Sequence, residues 1–322
     1  MKLLSFFPNK NNMEHFNHSW GDVSSYIDGL GLDGIETMIG TYHPTSYLEG
    51  APVRGLHLMY FPTWLDFWRE DHEALIENFG SSERVERYFG GMKRDLLIDH
   101  YKKEFENARE LGVEYMVFHV SHVNPRDIFT FTHDYTSREV IEAAVELINE
   151  VFKGEGPALL LENLFWPGLD LRSNEDTRYL LNSINYRNKG ILLDTSHLIC
   201  TNKDISTFDE GAEYILDKLE SMGELTKYIR GIHLNASTPG PYLKQDFSHK
   251  LRKWEEADSL DQFHIEGEHI KNIDTHSVFE SHKVREILDR VPWEYLTLEL
   301  ASKDVAELTE NVKKQLLFLE EL

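Results

Sequence analysis

Residues 191–197, with the sequence ILLDTSH, place a carboxylate and an imidazole directly after a short apolar run. The apolar run predicts a fully buried strand, and Asp194 and His197 follow where the chain leaves that strand. A carboxylate and an imidazole at the end of a buried strand are suitable ligands for a divalent metal ion. The alternative interpretation is that Asp194 only caps the next turn, with His197 beside it.

The same arrangement recurs along the chain. Other apolar runs end on, or just before, a histidine or a carboxylate, namely His57, His119, Glu162, His233 and Glu299. A further Asp/His pair, Asp274 and His276, precedes the next predicted helix. One histidine on an apolar strand is usually a hydrogen-bonded core residue. Six consecutive strand ends are harder to explain in that way, because buried carboxylates without a nearby Lys or Arg need another positive partner. The pattern therefore predicts a metal site.

Eight apolar runs alternate with amphipathic stretches. The predicted strands are residues 3–7, 34–37, 53–58, 115–119, 158–162, 191–194, 229–235 and 295–299. The predicted helices are residues 16–30, 92–111, 137–152, 174–181, 208–222, 281–290 and 305–319. This alternation predicts an α/β fold with a single (β/α)8 TIM barrel domain over residues 1–322. We expect a long loop at 59–91 and an insertion at 236–273, both at the active-site face. A doubly wound open sheet is the alternative, but it would gather ligands at one switch point.

The composition narrows the function classes. The net charge of −23, from 56 acidic and 33 basic residues, disfavours a protein that relies on non-specific attraction to nucleic acid or to an anionic membrane. The single cysteine, Cys200, excludes an intramolecular disulfide and fits a reducing compartment. The first apolar run is too short for a signal peptide, and no stretch approaches the roughly 20 apolar residues of a transmembrane helix. We expect a cytoplasmic protein, and the oligomeric state is left open.

Several motifs together resemble a known family. They are Leu-Leu-Asp-Thr-Ser-His at 192–197, Gly-Ile-His-Leu-Asn-Ala-Ser at 231–237, Asp-Thr-His at 274–276, Leu-Leu-Glu-Asn at 160–163, Val-Phe-His at 117–119 and Leu-Glu at 298–299. In these motifs and their order, which covers nearly the whole chain, the sequence resembles the endonuclease IV-like branch (AP endonuclease family 2) of the xylose isomerase-like TIM barrels. The loops at 59–91 and 236–273 depart from that branch, so the resemblance does not by itself imply DNA repair.

The resemblance implies two or three divalent metal ions at the barrel mouth, zinc in the first place, with manganese or iron as alternatives. The implied ligands of the first ion are His57, His119 and Glu162. Those of the second are Glu162, Asp194, His233 and Glu299, and those of the third are His197, Asp274 and His276. Glu162 and Glu299 are the implied catalytic residues, the first as a bridging ligand and the second orienting the attacking hydroxide. His57 matches by strand position alone, and His122 competes with His119.

Clustered divalent ions lower the pKa of bound water and neutralise phosphate oxygens. The implied function is therefore a metal-dependent hydrolase of a phosphodiester or phosphate ester. The acidic composition favours a phosphate-bearing small molecule over DNA, and we expect no membrane partner. The alternative is a sugar (phosphate) isomerase or epimerase that uses one metal and two glutamates as acid and base, which leaves five of the implied ligands without a role. A multi-iron oxidase and a non-catalytic metal-binding protein are further alternatives.

Aromatic and basic residues in the regions facing the barrel mouth indicate a pocket for a ring system bearing phosphate, although we expect at least half of the aromatics to pack the loops onto the barrel. The aromatic candidates are Trp64, Trp68, Tyr88, Phe89, Phe129, Phe131, Trp166, Tyr242 and Trp254, and the basic candidates are Arg69, Arg126, Arg172 and Lys244.

Overall fold

The computed structural model describes residues 1–40 and 43–320, and its strands form a closed parallel barrel in sequence order. They are β1 (Lys2–Ser5), β2 (Gly34–Thr37), β3 (Val53–His57), β4 (Tyr115–His119), β5 (Ala158–Glu162), β6 (Lys189–Asp194), β7 (Ile229–Leu234) and β8 (Tyr295–Leu298). The barrel closes through β1, which pairs with both β2 and β8. The predicted TIM barrel is confirmed, and the open sheet is excluded. Residues 41, 42, 321 and 322 of the predicted domain lie outside the described residues.

The strands are buried on both faces, as their continuous apolar sequences predict. All five residues of β5 are buried, and Leu159, Leu160 and Leu161 are completely inaccessible. Several predicted strand boundaries differ from the structure by one or two residues; the sixth strand was predicted to begin at residue 191, but β6 begins at Lys189. Glycine is needed at position 190 because the neighbouring backbone lies very close: a Cβ atom there would be 2.9 Å from the carbonyl oxygen of Tyr228.

The helices surround the barrel and cover its mouth. They are α1 (Lys10–His15), α2 (Trp20–Gly29), α3 (Leu65–Arg69), α4 (His72–Phe79), α5 (Ser82–Phe89), α6 (Asp95–Leu111), α7 (Asp127–Thr130), α8 (Ser137–Val151), α9 (Asn174–Ser183), α10 (Thr195–Cys200), α11 (Phe208–Met222), α12 (Gly240–Leu243), α13 (Ser248–Glu256), α14 (Ser259–Ile273), α15 (Val284–Asp289) and α16 (Val305–Leu317). Short 3-10 helices occupy Thr45–Leu48 and Gly223–Tyr228. None of the helices among the described residues combines the length and apolar character needed to cross a membrane.

The segment at 59–91, predicted as a long loop, instead contains α3, α4 and α5. The side chains of Asp71 and Ser81 accept hydrogen bonds from backbone N–H groups in the first turns of α4 and α5. Each of these helices ends at a glycine with left-handed φ, at 83° for Gly80 and 84° for Gly90. Polar caps and glycine stops of this kind permit short helices where apolar periodicity over a long window is weak.

The insertion at 236–273 contains α12, α13 and α14, which pack on the segment that follows β4. The ring of Phe129 lies 5.9 Å from that of Trp254, measured between centroids. The buried His269 donates through Nε2–H to the carbonyl oxygen of Ile128 at 2.8 Å. These contacts fix the insertion above the barrel mouth, next to the ends of the strands.

Candidate metal centre

The nine predicted ligands lie together at the C-terminal end of the barrel. Histidine and carboxylate residues end β3, β4, β5 and β6, and another histidine lies one residue before the end of β7. The remaining ligands follow β8, lie in α10 or follow α14. One ligand atom from each member lies within 4.8 Å of the others in three clusters. The first cluster is His57, His119 and Glu162; the second is Glu162, Asp194, His233 and Glu299; the third is His197, Asp274 and His276. The clusters coincide with the three implied ligand sets, and their role in metal binding stays a prediction.

In the first cluster two imidazoles converge on one carboxylate oxygen. His57 Nδ1–H donates to the carbonyl oxygen of Leu58 at 2.9 Å, which leaves Nε2 facing the cluster. The Nε2 atoms of His57 and His119 lie 3.1 Å apart, and they are 3.3 and 2.9 Å from Oε2 of Glu162. Two imidazole nitrogens that converge on one carboxylate oxygen are typical of ligands around a shared cation.

The structure separates His119 from its competitor His122. His122 Nδ1 accepts from the backbone N–H groups of Trp64 and Leu65, and its Nε2–H donates to Asn124. Both ring nitrogens are therefore occupied away from the three clusters. Burial lowers the pKa of His122 to about 3, so the ring is neutral at ordinary pH.

In the second cluster, a buried nitrogen of His233 lacks a hydrogen bond and faces three carboxylates. His233 Nε2 lies 2.9 Å from Oε1 of Glu36 and donates to that carboxylate. With Nε2 engaged by Glu36, Nδ1 is the nitrogen left for the second cluster, and it lies 3.0 Å from Glu299, 3.4 Å from Glu162 and 3.8 Å from Asp194. Three carboxylates around one imidazole nitrogen need positive charge among them, either a proton on Nδ1 or a cation in its place. This donor set fits a divalent metal ion.

Glu36 in β2, which the sequence analysis missed, holds one of the predicted ligands in place. Its carboxylate also accepts from the Tyr115 hydroxyl at 2.6 Å and from the Thr297 hydroxyl at 3.3 Å. It lies outside the three clusters but fixes the ring orientation and tautomer of His233. The available signal was a carboxylate inside β2, whose four residues are all buried.

Asp194 satisfies both interpretations of its sequence motif. Its Oδ1 accepts from the backbone N–H of His197 at 2.7 Å and caps α10. Its Oδ2 accepts from Asn235 Nδ2 at 3.0 Å on the side that faces His233. Asn163 exchanges two hydrogen bonds with the backbone of Asp194. One oxygen therefore starts the helix while the other is directed into the second cluster.

In the third cluster Asp274 is held on one oxygen and directed at two histidines with the other. Its Oδ1 accepts from the hydroxyls of Ser196 and Ser237 at 2.6 and 3.2 Å. Its Oδ2 lies 3.2 Å from Nε2 of His197 and 2.7 Å from Nε2 of His276. His197 Nδ1–H donates to the carbonyl oxygen of Asn163, so Nε2 is the nitrogen that faces Asp274.

The backbone supports the third cluster as well. A two-residue antiparallel bridge between Ala236 and Ser277 attaches the loop after α14 to the end of β7. His276 has a φ of 46°, a left-handed conformation that is uncommon for a residue other than glycine. Strain of this kind persists where the surrounding structure fixes a side chain for function.

The histidines and carboxylates of the clusters strongly shift one another's pKa values. Burial raises the pKa of Glu162, but His119 and His233 outweigh this effect and hold the pKa well below its ordinary value. Burial also opposes protonation of His276, yet Asp274 and Glu299 raise its pKa to about 10. Burial raises the pKa of Asp194 to about 6. Ionised carboxylates thus keep positive charge in the centre, either as protons on imidazoles or as metal ions.

A cavity of about 1560 Å³ opens over the centre. Its walls include Trp64, Tyr88, Trp166 and Trp254 from the predicted aromatic set. Trp68, Phe89 and Phe129 are buried in packing contacts instead, as the packing alternative predicts.

The prediction of which basic residues line the cavity was wrong. Each one forms an ion pair with a nearby carboxylate instead of lining the cavity: Arg69 with Glu139, Arg126 with Glu255, Arg172 with Asp170, and Lys244 with Asp204. The basic residues that line it are Arg84, Arg87 and Lys271. Because the chain is rich in carboxylates, a basic residue in a loop near the barrel mouth readily forms an ion pair outside the cavity.

The comparisons with known proteins agree on one family. The probable endonuclease 4 of Metamycoplasma arthritidis is 26% identical over 162 residues, which covers 50% of this chain and 52% of that protein. The chain thus spans about half the length of the curated relatives it matches. Endonuclease IV from Thermus thermophilus has a TM-score of 0.55 at 14% identity, over 100% of this chain and 99% of that chain.

An L-ribulose 3-epimerase is similar as well, with a TM-score of 0.52 at 10% identity over 99% of this chain and 93% of that chain. At these identities the two solved structures establish the fold only. A family model described as the xylose isomerase-like TIM barrel matches residues 88–322. This match covers more than half of the sequence and includes every cluster residue except His57. The chain belongs to the xylose isomerase-like TIM barrel family, the one whose AP endonuclease branch its motifs resemble.

Proposed function

We propose that the protein is a metal-dependent hydrolase of a phosphodiester or phosphate ester, and that its substrate is a small molecule. The observation that carries this proposal is the sharing of Glu162 between two clusters, beside a complete third cluster. Sites of this density suit two or three ions held close together. When bound, such ions would activate water and neutralise the negative charge that develops on phosphate oxygens.

The residues of the chain divide the remaining tasks. Glu162 is completely buried and lies between the first and second clusters, so it fixes their spacing. The side chain of Glu299 is partly exposed to the cavity, and it is the most accessible carboxylate of the second cluster. It is therefore placed to accept a hydrogen bond from an attacking water and to orient it. Burial raises the pKa of Glu299, but His233 and His276 outweigh burial and lower it to about 2, so the base form prevails.

A sugar isomerase or epimerase is the second candidate. The second cluster alone supplies three carboxylates and an imidazole around one point, which is enough for a single divalent ion. Glu162 and Glu299 would then act as an acid–base pair on the two faces of a ketose. The fold similarity to L-ribulose 3-epimerase is compatible with this candidate but adds no residue-level support. It gives no role to the third cluster.

The two candidates make opposite predictions for the third cluster. We would strip the protein of metal, reload it with zinc, manganese or iron(II) in separate samples, and measure hydrolysis of an aryl phosphodiester and epimerisation of a ketose panel. Asp274→Asn removes a charged ligand of the third cluster. Asp289→Asn, at an exposed position in α15, is the matched control.

The hydrolase proposal predicts ester hydrolysis that falls about 100-fold or more in Asp274→Asn and stays at the wild-type rate in Asp289→Asn. Ketose turnover that is indifferent to Asp274→Asn, with no ester hydrolysis, would favour the epimerase instead.

A further inference from the structure

We propose that the cavity has a lateral arm that binds a flat apolar group, and that the helices above it exclude duplex nucleic acid. The arm lies between α4–α5 and α14. This inference rests on the proposed function and specifies its substrate class: an ester in which the phosphate lies at the metal centre and an uncharged aryl group lies in the arm.

The first observation is a contact across the barrel mouth. Arg84 in α5 donates through Nη1 to Oε1 of Gln262 in α14 at 3.1 Å. The helix α5 follows β3 and α14 follows β7, and these strands are four positions apart in a closed barrel of eight. They therefore lie on opposite sides of the barrel, so the hydrogen bond spans its mouth.

Further contacts hold α13 and α14, which form a roof over one side of the cavity. Arg126, in the segment after β4, pairs with Glu255 of α13 at 2.6 Å. Within the roof, Trp254 donates to Glu266 at 2.6 Å and joins α13 to α14. A duplex would have to displace these helices to bring a backbone phosphate to the centre, whereas a small ester can enter beneath them.

The second observation is the concentration of exposed aromatic side chains in this cavity. Phe7, Tyr60, Tyr88 and Phe263 are 44, 45, 40 and 69% exposed, and all four line it. Tyr88 in α5 and Phe263 in α14 flank the arm, whereas the ring of Tyr60 stacks on His119 beside the metal centre. Large exposed apolar side chains gathered in one concave site indicate a ligand-binding surface. Aromatic walls stack favourably on flat groups. The cavity, at about 1560 Å³, also exceeds the roughly 300–1,000 Å³ that small-molecule sites usually occupy, so it has room for a ring system and water.

The third observation is the charge of the arm. Away from the metal centre, the charged residues that line it are Arg84, Arg87 and Lys271 against Glu77 and Glu266. Duplex DNA carries a negative charge for about every 1.7 Å of its axis, and proteins that bind it present a continuous basic track. A nearly balanced arm is instead suited to an uncharged group.

The test compares two substrates with the same leaving group. Methyl 4-nitrophenyl phosphate and 2-naphthylmethyl 4-nitrophenyl phosphate differ only in the group offered to the arm. We expect the naphthyl ester to have the lower KM, and Phe263→Ala to reduce this preference about 3- to 10-fold. Leu317→Ala, which removes another exposed apolar side chain outside the cavity, is the matched control and should leave the preference unchanged. Duplex DNA containing an abasic site should not be cleaved.

A direct binding measurement separates the arm from the chemistry. Calorimetric titration of the purified protein with 2-naphthylmethylphosphonate and methylphosphonate should show tighter binding of the naphthyl compound, and Phe263→Ala should weaken it. If that holds while no ester is hydrolysed, the arm stands and the proposed function fails. If both esters are hydrolysed with equal KM and Phe263→Ala changes neither KM nor binding, the function stands and the arm is refuted. Cleavage of the duplex as fast as the naphthyl ester would also refute the inference.

Discussion

Glu36→Gln should weaken metal binding although it replaces none of the predicted ligands. In the wild type, the carboxylate accepts three hydrogen bonds, from His233, Tyr115 and Thr297. A glutamine offers one acceptor oxygen, which the Tyr115 hydroxyl would take, and its NH2 group would then face His233 Nε2. That nitrogen would have to accept a hydrogen bond, and the ring proton would move to Nδ1, which faces Glu162, Asp194 and Glu299.

The expected magnitude follows from the tautomer change. A protonated Nδ1 cannot bind a cation, so metal binding must first reverse the tautomer and break the new hydrogen bond. Loss of such a supporting carboxylate typically lowers metal affinity about 10- to 100-fold, or about 1.4–2.8 kcal/mol. The assay is a competition titration against a chromophoric chelator at fixed pH, with circular dichroism to show that the barrel is intact.

Glu294→Gln is the matched control, because Glu294 pairs with Arg230 at the opposite end of the barrel. The metal affinity of the Glu294→Gln variant should equal that of the wild type. An unchanged affinity in Glu36→Gln, with the barrel intact, would refute the assignment of Glu36 as the residue that positions His233.

Three further predictions concern charge. Glu162→Gln should abolish hydrolysis and release at least one ion while circular dichroism stays unchanged, because an amide cannot bridge two cations; full metal content and rate would make Glu162 structural. Neighbouring carboxylates raise the pKa of His276 to about 10, so a metal ion must displace a proton from it. The affinity for the third ion should therefore rise with pH between 6 and 9. Calorimetry should detect the released proton, and an affinity independent of pH would contradict this prediction. Burial depresses the pKa of His122 to about 3, so below about pH 6.5 the unfolded chain binds a proton that the folded chain does not. The free energy of unfolding should therefore fall by about 2 kcal/mol between pH 7 and 5. In urea unfolding, His122→Gln should lessen this dependence on pH.

The barrel could be predicted because its strands are buried on both faces and therefore have continuous apolar sequences. The candidate ligands could be predicted because each polar residue follows such a run, and the ends of parallel strands meet at one edge. His57, matched only by strand position, lies with His119 and Glu162 as expected.

What the sequence did not reveal depends on partners distant in the chain. Glu36 was missed because it lies inside a strand and not at its end, and its role depends on His233, 197 residues away. Tyr88 of α5 was predicted to face the cavity, but Arg84 and Arg87 of the same helix were missed. Phe263 was missed because the apolar pattern of α14 did not distinguish a helix from a loop in the sequence. Which basic residues line the cavity is likewise decided by long-range pairs, such as Arg126 with Glu255.

The central claim is a multinuclear metal centre, and the direct measurement is the number of metal ions per chain. Native mass spectrometry of protein reloaded with zinc, checked by elemental analysis, gives this number without reference to any substrate. The three clusters predict two or three ions per wild-type chain, and one fewer in Asp274→Asn. One ion per chain in the wild type, unchanged in Asp274→Asn, would contradict the account.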